Sequence, residues 1–98
     1  LIGVQGEDLS LAEATKLNLG KNGAVRLSLV SDGMPAAKAG LRVGDIIVAL
    51  DGKPFENWNE LRLAISRHKP GEVVTLNYVR EGRGALTRVT VAERALDR

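Results

Sequence analysis

The apolar positions of the chain fall into short stretches divided by glycine, proline and capping residues. Leu1 to Gly6 is apolar and punctuated by glycine, which predicts a strand beside a tight loop. Ala24 to Val30 alternates Val25, Leu27 and Leu29 against Arg26 and Ser28, the period of a strand with one wet face. Ile46 to Leu50 is a continuous apolar run, short enough for a buried strand. Val73 to Arg80 and Ala85 to Val91 read as two further strands, joined as a hairpin through Glu81-Gly82-Arg83-Gly84. Helical spacing brings Leu11, Ala14 and Leu17 to one face of a helix predicted over about Leu11 to Leu17. A second helix, roughly Trp58 to His68, places Leu61, Ala64, Ile65 and His68 on one face. Trp58 stands at the edge of that face, and Arg62 and Ser66 flank it.

The punctuation agrees with the periodicity. Ser10-Leu11-Ala12-Glu13 is a capping box, in which the hydroxyl accepts from the Glu13 N–H and the carboxylate reaches back to Ser10. Gly20 to Gly23 should end that helix. Ser31-Asp32-Gly33 reads as a turn and a possible cap, Pro35 suits a first helical position, and Gly40 stops the short helix of Ala36 to Ala39. Gly44-Asp45 turns the chain into the buried strand, and Asp51-Gly52 is a hairpin signal after it. Asn57 and Glu60 repeat the capping logic, and Pro70-Gly71 breaks the second long helix. About five strands and two or three helices result. The fold class expected is α+β, mainly β: a partly open five-stranded barrel or sandwich capped by two helices. Residues 1–92 should form one domain, with 93–98 a tail or linker.

Composition narrows the function. A chain of 98 residues supports one core, and 44% hydrophobic with 27% charged residues is ordinary for a globular domain. No cysteine is present, which removes disulfides and thiolate metal sites. The net charge is +2, with acidic residues interleaved among the arginines and only Phe55, Trp58 and Tyr78 aromatic. That is no basic stripe with stacking platforms, so no nucleic-acid partner is expected. No run approaches the roughly 18 apolar residues of a membrane span, so no membrane insertion is expected in this segment. The chain starts at Leu1, without Met and already strand-like, and reads as a piece of a longer protein.

Catalytic chemistry finds no foothold. His68, the single histidine, falls at a helix end beside Lys69, where a cation meets the C-terminal dipole. Ser10, Ser28, Ser31 and Ser66 occupy cap, strand, turn and helix positions, without the context of a nucleophile. Glu7-Asp8 lacks calcium-loop spacing, and Asp45 reads as a turn residue, not a catalytic acid. No catalytic residue, metal site or cofactor is expected.

The stretch Pro35-Ala36-Ala37-Lys38-Ala39-Gly40-Leu41, followed by Gly44-Asp45-Ile46 and Gly52-Lys53-Pro54, resembles the central signature of bacterial PDZ domains. Leu1-Ile2-Gly3-Val4 is similar to that family's carboxylate-binding loop. Its place at the head of the chain, with a helix after Leu9, looks like the circularly permuted order of the HtrA/Deg serine proteases. The resemblance spans roughly Leu1 to Val91. One departure is that such domains often carry a basic or aromatic residue at or just before the loop, where Leu1 stands here. The resemblance implies a module that captures C-terminal peptides with an apolar last residue. It would serve a protease domain of the same parent chain, in the periplasm or cell envelope. Alternative parents are a site-2-type membrane metalloprotease, for which Asn57-Trp58 gives some support, a C-terminal processing peptidase, a secretion component, or a non-catalytic adaptor.

The residues suggest how such capture would work. Converging N–H groups around Gly3 would form an anion-binding nest, and the strand leaving it would pair with an extended peptide. The expected peptide-binding residues are therefore Leu1, Ile2, Gly3, Val4, Gln5 and Gly6, together with Leu61, Arg62 and Ile65 on the second helix. Leu61 reads mainly as core, Ile65 as core and groove alike, and Arg62 as a groove or solvated residue. Gly3 is expected to serve close approach of a ligand more than packing.

Overall fold

The computed structural model of the chain describes residues 1–19 and 23–93. The elements run β1 (Val4–Asp8), α1 (Leu11–Lys16), β2 (Val25–Val30), α2 (Pro35–Lys38), β3 (Ile46–Leu50), α3 (Trp58–Ser66), β4 (Val73–Arg80) and β5 (Arg83–Thr90). The five strands form one antiparallel sheet in the order β1-β2-β3-β4-β5, so it does not close into a barrel. Three helices accompany it, at the three stretches where helix was expected. α1 ends at Lys16 with its C-cap at Leu17, ahead of the stop expected over Gly20 to Gly23, of which residues 20–22 lie outside the described residues, as do all but the first residue of the expected tail.

Local chemistry accounts for most boundaries. The Ser10 side chain accepts the Glu13 N–H at 3.1 Å and starts α1, as the capping box requires. Glu13 also takes a 2.7 Å ion pair from Arg26 on β2, which ties α1 to the sheet. That hydrogen bond is the main cause holding the Glu13 carboxyl below its ordinary value. Of the expected apolar face only Ala14 is buried; Leu11 is 76% exposed. The cap expected at residues 31–33 falls on Met34 instead, whose side chain makes no capping bond. An N–H of the first turn of α2, that of Ala36, donates to the Ile2 carbonyl at 2.9 Å, so a distant strand end caps the helix.

Two strand readings are corrected by register. Gln5 pairs with Leu29 but Gly6 with Leu27, so Ser28 is the extra residue of a bulge on β2. Past the bulge the alternation flips, leaving Leu29 48% exposed while Val30 packs against the core. The hairpin between β4 and β5 is tighter than a four-residue connection. Arg80 pairs with Arg83, and Glu81 and Gly82 both have positive φ, the mark of a two-residue primed turn. At the other end, α3 stops at Ser66, short of the expected His68.

The core lies between the sheet and α3, where Val25, Leu27, Ile47, Leu61, Val74 and Leu76 are at most 1% exposed. Among the described residues, one charge is buried. Asp45, 2% exposed, takes a bidentate pair from Arg80 at 2.8 and 2.7 Å and accepts the Arg42 N–H at 2.8 Å. Arg80 also donates to the Gly40 carbonyl at 2.7 Å, and its bonds to Asp45 raise its pKa further above the ordinary value. A turn, a helix stop and a strand 35 residues away are thereby joined through one ion pair.

Candidate functional site

The backbone entering β1 is held by its carbonyls. Leu1 C=O accepts from Ala92 N–H at 2.9 Å, Ile2 C=O from Ala36 N–H at 2.9 Å, and Gly3 C=O from Ser31 N–H at 2.8 Å. The peptide bonds are trans, so each following N–H points opposite to the carbonyl before it. Three carbonyls tied to the fold therefore turn the N–H groups of Ile2, Gly3 and Val4 away from those anchors. The Ile2 and Gly3 N–H groups donate to no backbone acceptor among the described residues. Successive outward N–H groups around a left-handed residue form a small electropositive concavity suited to an anion.

The strand leaving that loop is the edge of the sheet. Because Gly3 and Ser31 bond across the ladder, the next pair, Val4 with Val30, is a non-hydrogen-bonded one. The donor and acceptor of Val4 thus face the open side. Beside this edge lies α3, whose start is pinned from β1: Asp8 Oδ1 accepts the Trp58 N–H at 2.6 Å. A carboxylate there also meets the positive end of the helix. Asn57 Oδ1 accepts the Glu60 N–H at 2.8 Å and completes the cap. Between β1 and α3 runs a groove of about 460 Å³.

Of the residues singled out from sequence, Leu1, Ile2, Gly3, Val4, Gln5, Arg62 and Ile65 line this groove, and Gly6 and Leu61 do not. Leu61 is 1% exposed in the core beneath α3, which places it out of reach of a ligand. A Cβ on Gly6 would collide with Val25 Cγ1 and lie 3.3 Å from Trp58 Cε3. Gly6 is therefore a packing residue that lets β2 and the indole close on β1. Ile65 serves both roles, since it belongs to the core cluster and lines the groove.

Gly3 departs from its expected role. Its φ of +80° disfavours any L side chain, and a Cβ there would overlap Met34 Cβ and approach Met34 Cγ to 2.8 Å. The glycine is required by packing against α2 as well as by the loop conformation. Sequence reasoning missed Trp58, Ser66, His68, Pro70 and Ala92 as groove residues. Trp58, Ser66 and His68 left a signal, at the edge, the flank and the face of the apolar helix stripe; Pro70 and Ala92 are brought in by tertiary folding. His68 stands just past α3, with Nδ1 3.3 Å from Glu72 Oε1 and Nε2 3.7 Å from Asp51 Oδ2. The Lys69 N–H, at 2.6 Å, is the main cause holding the Glu72 carboxyl below its ordinary value, and His68 adds to it.

The arrangement offers hydrogen bonds along an edge, an apolar wall and an anion site at one end. Among the described residues no group of three or more His, Asp or Glu side chains could hold a metal, and no helix is long and apolar enough to cross a membrane.

Comparison with known proteins gives a match to a family described as PDZ domain over residues 1–91. The periplasmic pH-dependent serine endoprotease DegQ of Escherichia coli is 37% identical over 91 residues, covering 93% of this chain. The chain spans only 20% of that relative's length. Among solved structures, the HtrA-type protease AlgW with a decapeptide superposes with a TM-score of 0.81 at 25% identity, over 99% of this chain and 30% of that one. The HtrA3 PDZ domain bound to a phage-derived ligand shares the fold, with a TM-score of 0.74 at 21% identity over 92% of this chain and 82% of that one.

Proposed function

The chain belongs to the PDZ domain family, and on that premise we propose that it binds the C-terminal segment of other polypeptides by strand addition to β1. The ligand carboxylate sits on the N–H groups of Ile2, Gly3 and Val4, and its backbone pairs with the open side of β1. Its last side chain is apolar and packs against Ile2, Val4 and Ile65. Backbone pairing brings affinity without sequence information; the pocket brings preference. The observation that carries this reading is the tethering of three successive carbonyls, which leaves their following N–H groups pointing outward at the head of an edge strand.

The binding unit is residues 1–92. Relatives that match across most of the chain are named periplasmic serine endoproteases. We accordingly place the parent protein in the periplasm or cell envelope, as an HtrA-like endoprotease engaged in protein quality control. In it, this module recognises exposed C-termini and passes them to, or signals to, a protease domain that performs the hydrolysis. Fluorescence anisotropy with a labelled peptide ending in an apolar residue tests the binding reading. Affinities of about 1–100 μM are expected, since one strand makes few contacts after the ordering of the peptide. Charge-assisted hydrogen bonds of about 1.5–3 kcal/mol mean that amidation of the terminus weakens binding roughly tenfold or more. Equal titrations of free-acid and amidated peptide would rule the reading out.

A further inference from the structure

The sheet has a second edge at β5, the last strand in the order. Of the devices that usually blunt an edge, only charge is present there. β5 pairs with β4 over eight residues without a register shift, and it contains no proline. The Val91 N–H donates to the Glu72 carbonyl at 2.8 Å, which sets the alternation of the ladder. Arg83, Ala85, Thr87 and Val89 therefore bond to β4, while Gly84, Leu86, Arg88 and Thr90 turn their N–H and C=O groups to the open side. Ala92, the next residue of that outward set, already pairs in this way: it exchanges both backbone bonds with Leu1, at 2.9 and 3.2 Å. From Thr90 back to Gly84 the same edge has no backbone partner among the described residues.

A cleft of about 430 Å³ runs beside this edge, walled by Pro35, Lys38 and Ala39 on the α2 side and by β5 from Arg88 onward. Thr87 Oγ1 donates to the Ala39 carbonyl at 2.9 Å and holds the two walls together. The cleft is one-sided in charge. No Asp or Glu lines it, and its cations, Lys38 and Arg88, are exposed and in no ion pair among the described residues. The residue across the ladder from Arg88 is the neutral Thr75. The cations also stand on different faces. Thr87 shares its face with buried Val89 and reaches α2, the element of Lys38; Arg88, one residue on, points to the outer face. Successive side chains of an added strand alternate in the same way, so two adjacent carboxylates would meet one cation each.

We infer that β5 is a second strand-addition site, which takes an extended acidic segment of a partner protein along its open edge beside α2. Charge decides the occupant. A second copy of this strand would bring the same arginines and no carboxylate, and like charges opposed across strands destabilise pairing. The inference stands on β5 and α2 alone and does not depend on the groove at β1. Both cations are open to water, so the selection is modest: about two- to tenfold for a pair of glutamates over a pair of glutamines. It shrinks as salt rises, because exposed pairs are screened.

The test uses a peptide as long as β5, of alternating valine and threonine with two adjacent glutamates at its centre. It carries a fluorophore at its N-terminus and an amide at its C-terminus, so it offers no terminal carboxylate. Versions with glutamine or lysine in place of the glutamates complete the set. In anisotropy titrations the parent domain should bind in the order glutamate, glutamine, lysine, and the Lys38→Glu, Arg88→Glu double variant should reverse it. Leu86→Pro removes an outward donor and no bond to β4, and should weaken all three peptides. Urea melts establish that the variants fold. Amide ¹H–¹⁵N spectra of the parent need no variant: the glutamate peptide should move the Leu86, Arg88 and Thr90 resonances and leave those of Ile2, Gly3 and Val4 in place. Equal binding of the three peptides, or an order that survives charge reversal in a folded variant, refutes the acidic selection. Shifts centred on Ile2 to Val4, or displacement of the peptide by a free-acid peptide with an apolar last residue, refute the site at β5.

Discussion

Replacing Gly3 with alanine tests how the loop is built. The residue has φ +80°, and an L side chain in that region carries a penalty of about 1–2 kcal/mol. The added Cβ also overlaps Met34 Cβ and comes within 2.8 Å of Met34 Cγ. Overlap with the tip of a flexible side chain would be relieved by a rotamer change. Here the first atom struck is a Cβ, which moves only with the backbone of α2, so an overpacking term of about 1–3 kcal/mol is expected as well. Together Gly3→Ala should lower stability by roughly 2–5 kcal/mol, a large share of the 5–15 kcal/mol typical of a domain. With a slope of about 2 kcal/mol per molar urea, the midpoint falls by about 1–2.5 M. Removing the obstructing Cβ with Met34→Gly should return the steric part and leave the backbone part. The double-mutant cycle therefore predicts a favourable coupling of about 1–3 kcal/mol. A Gly3→Ala protein that melts like its parent, or losses that simply add in the double mutant, would refute the argument. The loop would then owe its glycine to ligand approach alone.

Three further outcomes follow from the fold. Asp45→Ala removes the carboxylate shared by Arg80 and the Arg42 N–H, and should reduce stability by about 3–5 kcal/mol in urea unfolding; a loss under 1 kcal/mol would show the buried pair to be dispensable. Asp8→Ala removes the cap on Trp58 N–H, with an expected loss of about 0.5–2 kcal/mol and weaker peptide binding as α3 loosens; unchanged affinity would separate that cap from the groove. Glu13 and Glu72 have folded pKa values below their ordinary 4.5. The unfolded chain thus binds more protons in that window, and stability is retained above about pH 4.5 and declines as pH falls through the depressed values. A urea midpoint that is flat below pH 4.5 in the parent, or as steep in the Glu13→Gln, Glu72→Gln double variant, would contradict this.

Features set by neighbours in sequence were legible before the structure. The caps at Ser10 and Asn57 and the turn at Asp51-Gly52 all depend on interactions within a few residues. The resemblance carried by Pro35 to Pro54 added the fold, and that of Leu1 to Val4 named the loop taken as the candidate site. What escaped depends on contacts across the chain. A bulge at Ser28 turned Leu29 outward, although the local alternation put it with Val25 and Leu27. Arg83 and Gly84 looked like turn residues, yet left-handed Glu81 and Gly82 close the hairpin alone. The overlap that a Cβ on Gly3 would make with Met34, the reach of Asp8 to Trp58 and the arrival of Pro70 and Ala92 at the groove join segments far apart in sequence. No periodicity reports such meetings.

The central claim is that a ligand carboxylate is held by the N–H groups of Ile2, Gly3 and Val4 while its backbone pairs with β1. Amide ¹H–¹⁵N spectra of the domain, recorded during titration with a free-acid peptide and with its amide, address those atoms directly. The account predicts that the Ile2, Gly3 and Val4 amide resonances move downfield most with the free acid, as hydrogen bonds to an anion require. Residues on the α3 side of the groove should follow, and the amidated peptide should produce much smaller changes at the loop. Largest shifts on β5 or around α2, or equal loop shifts with both peptides, would contradict it.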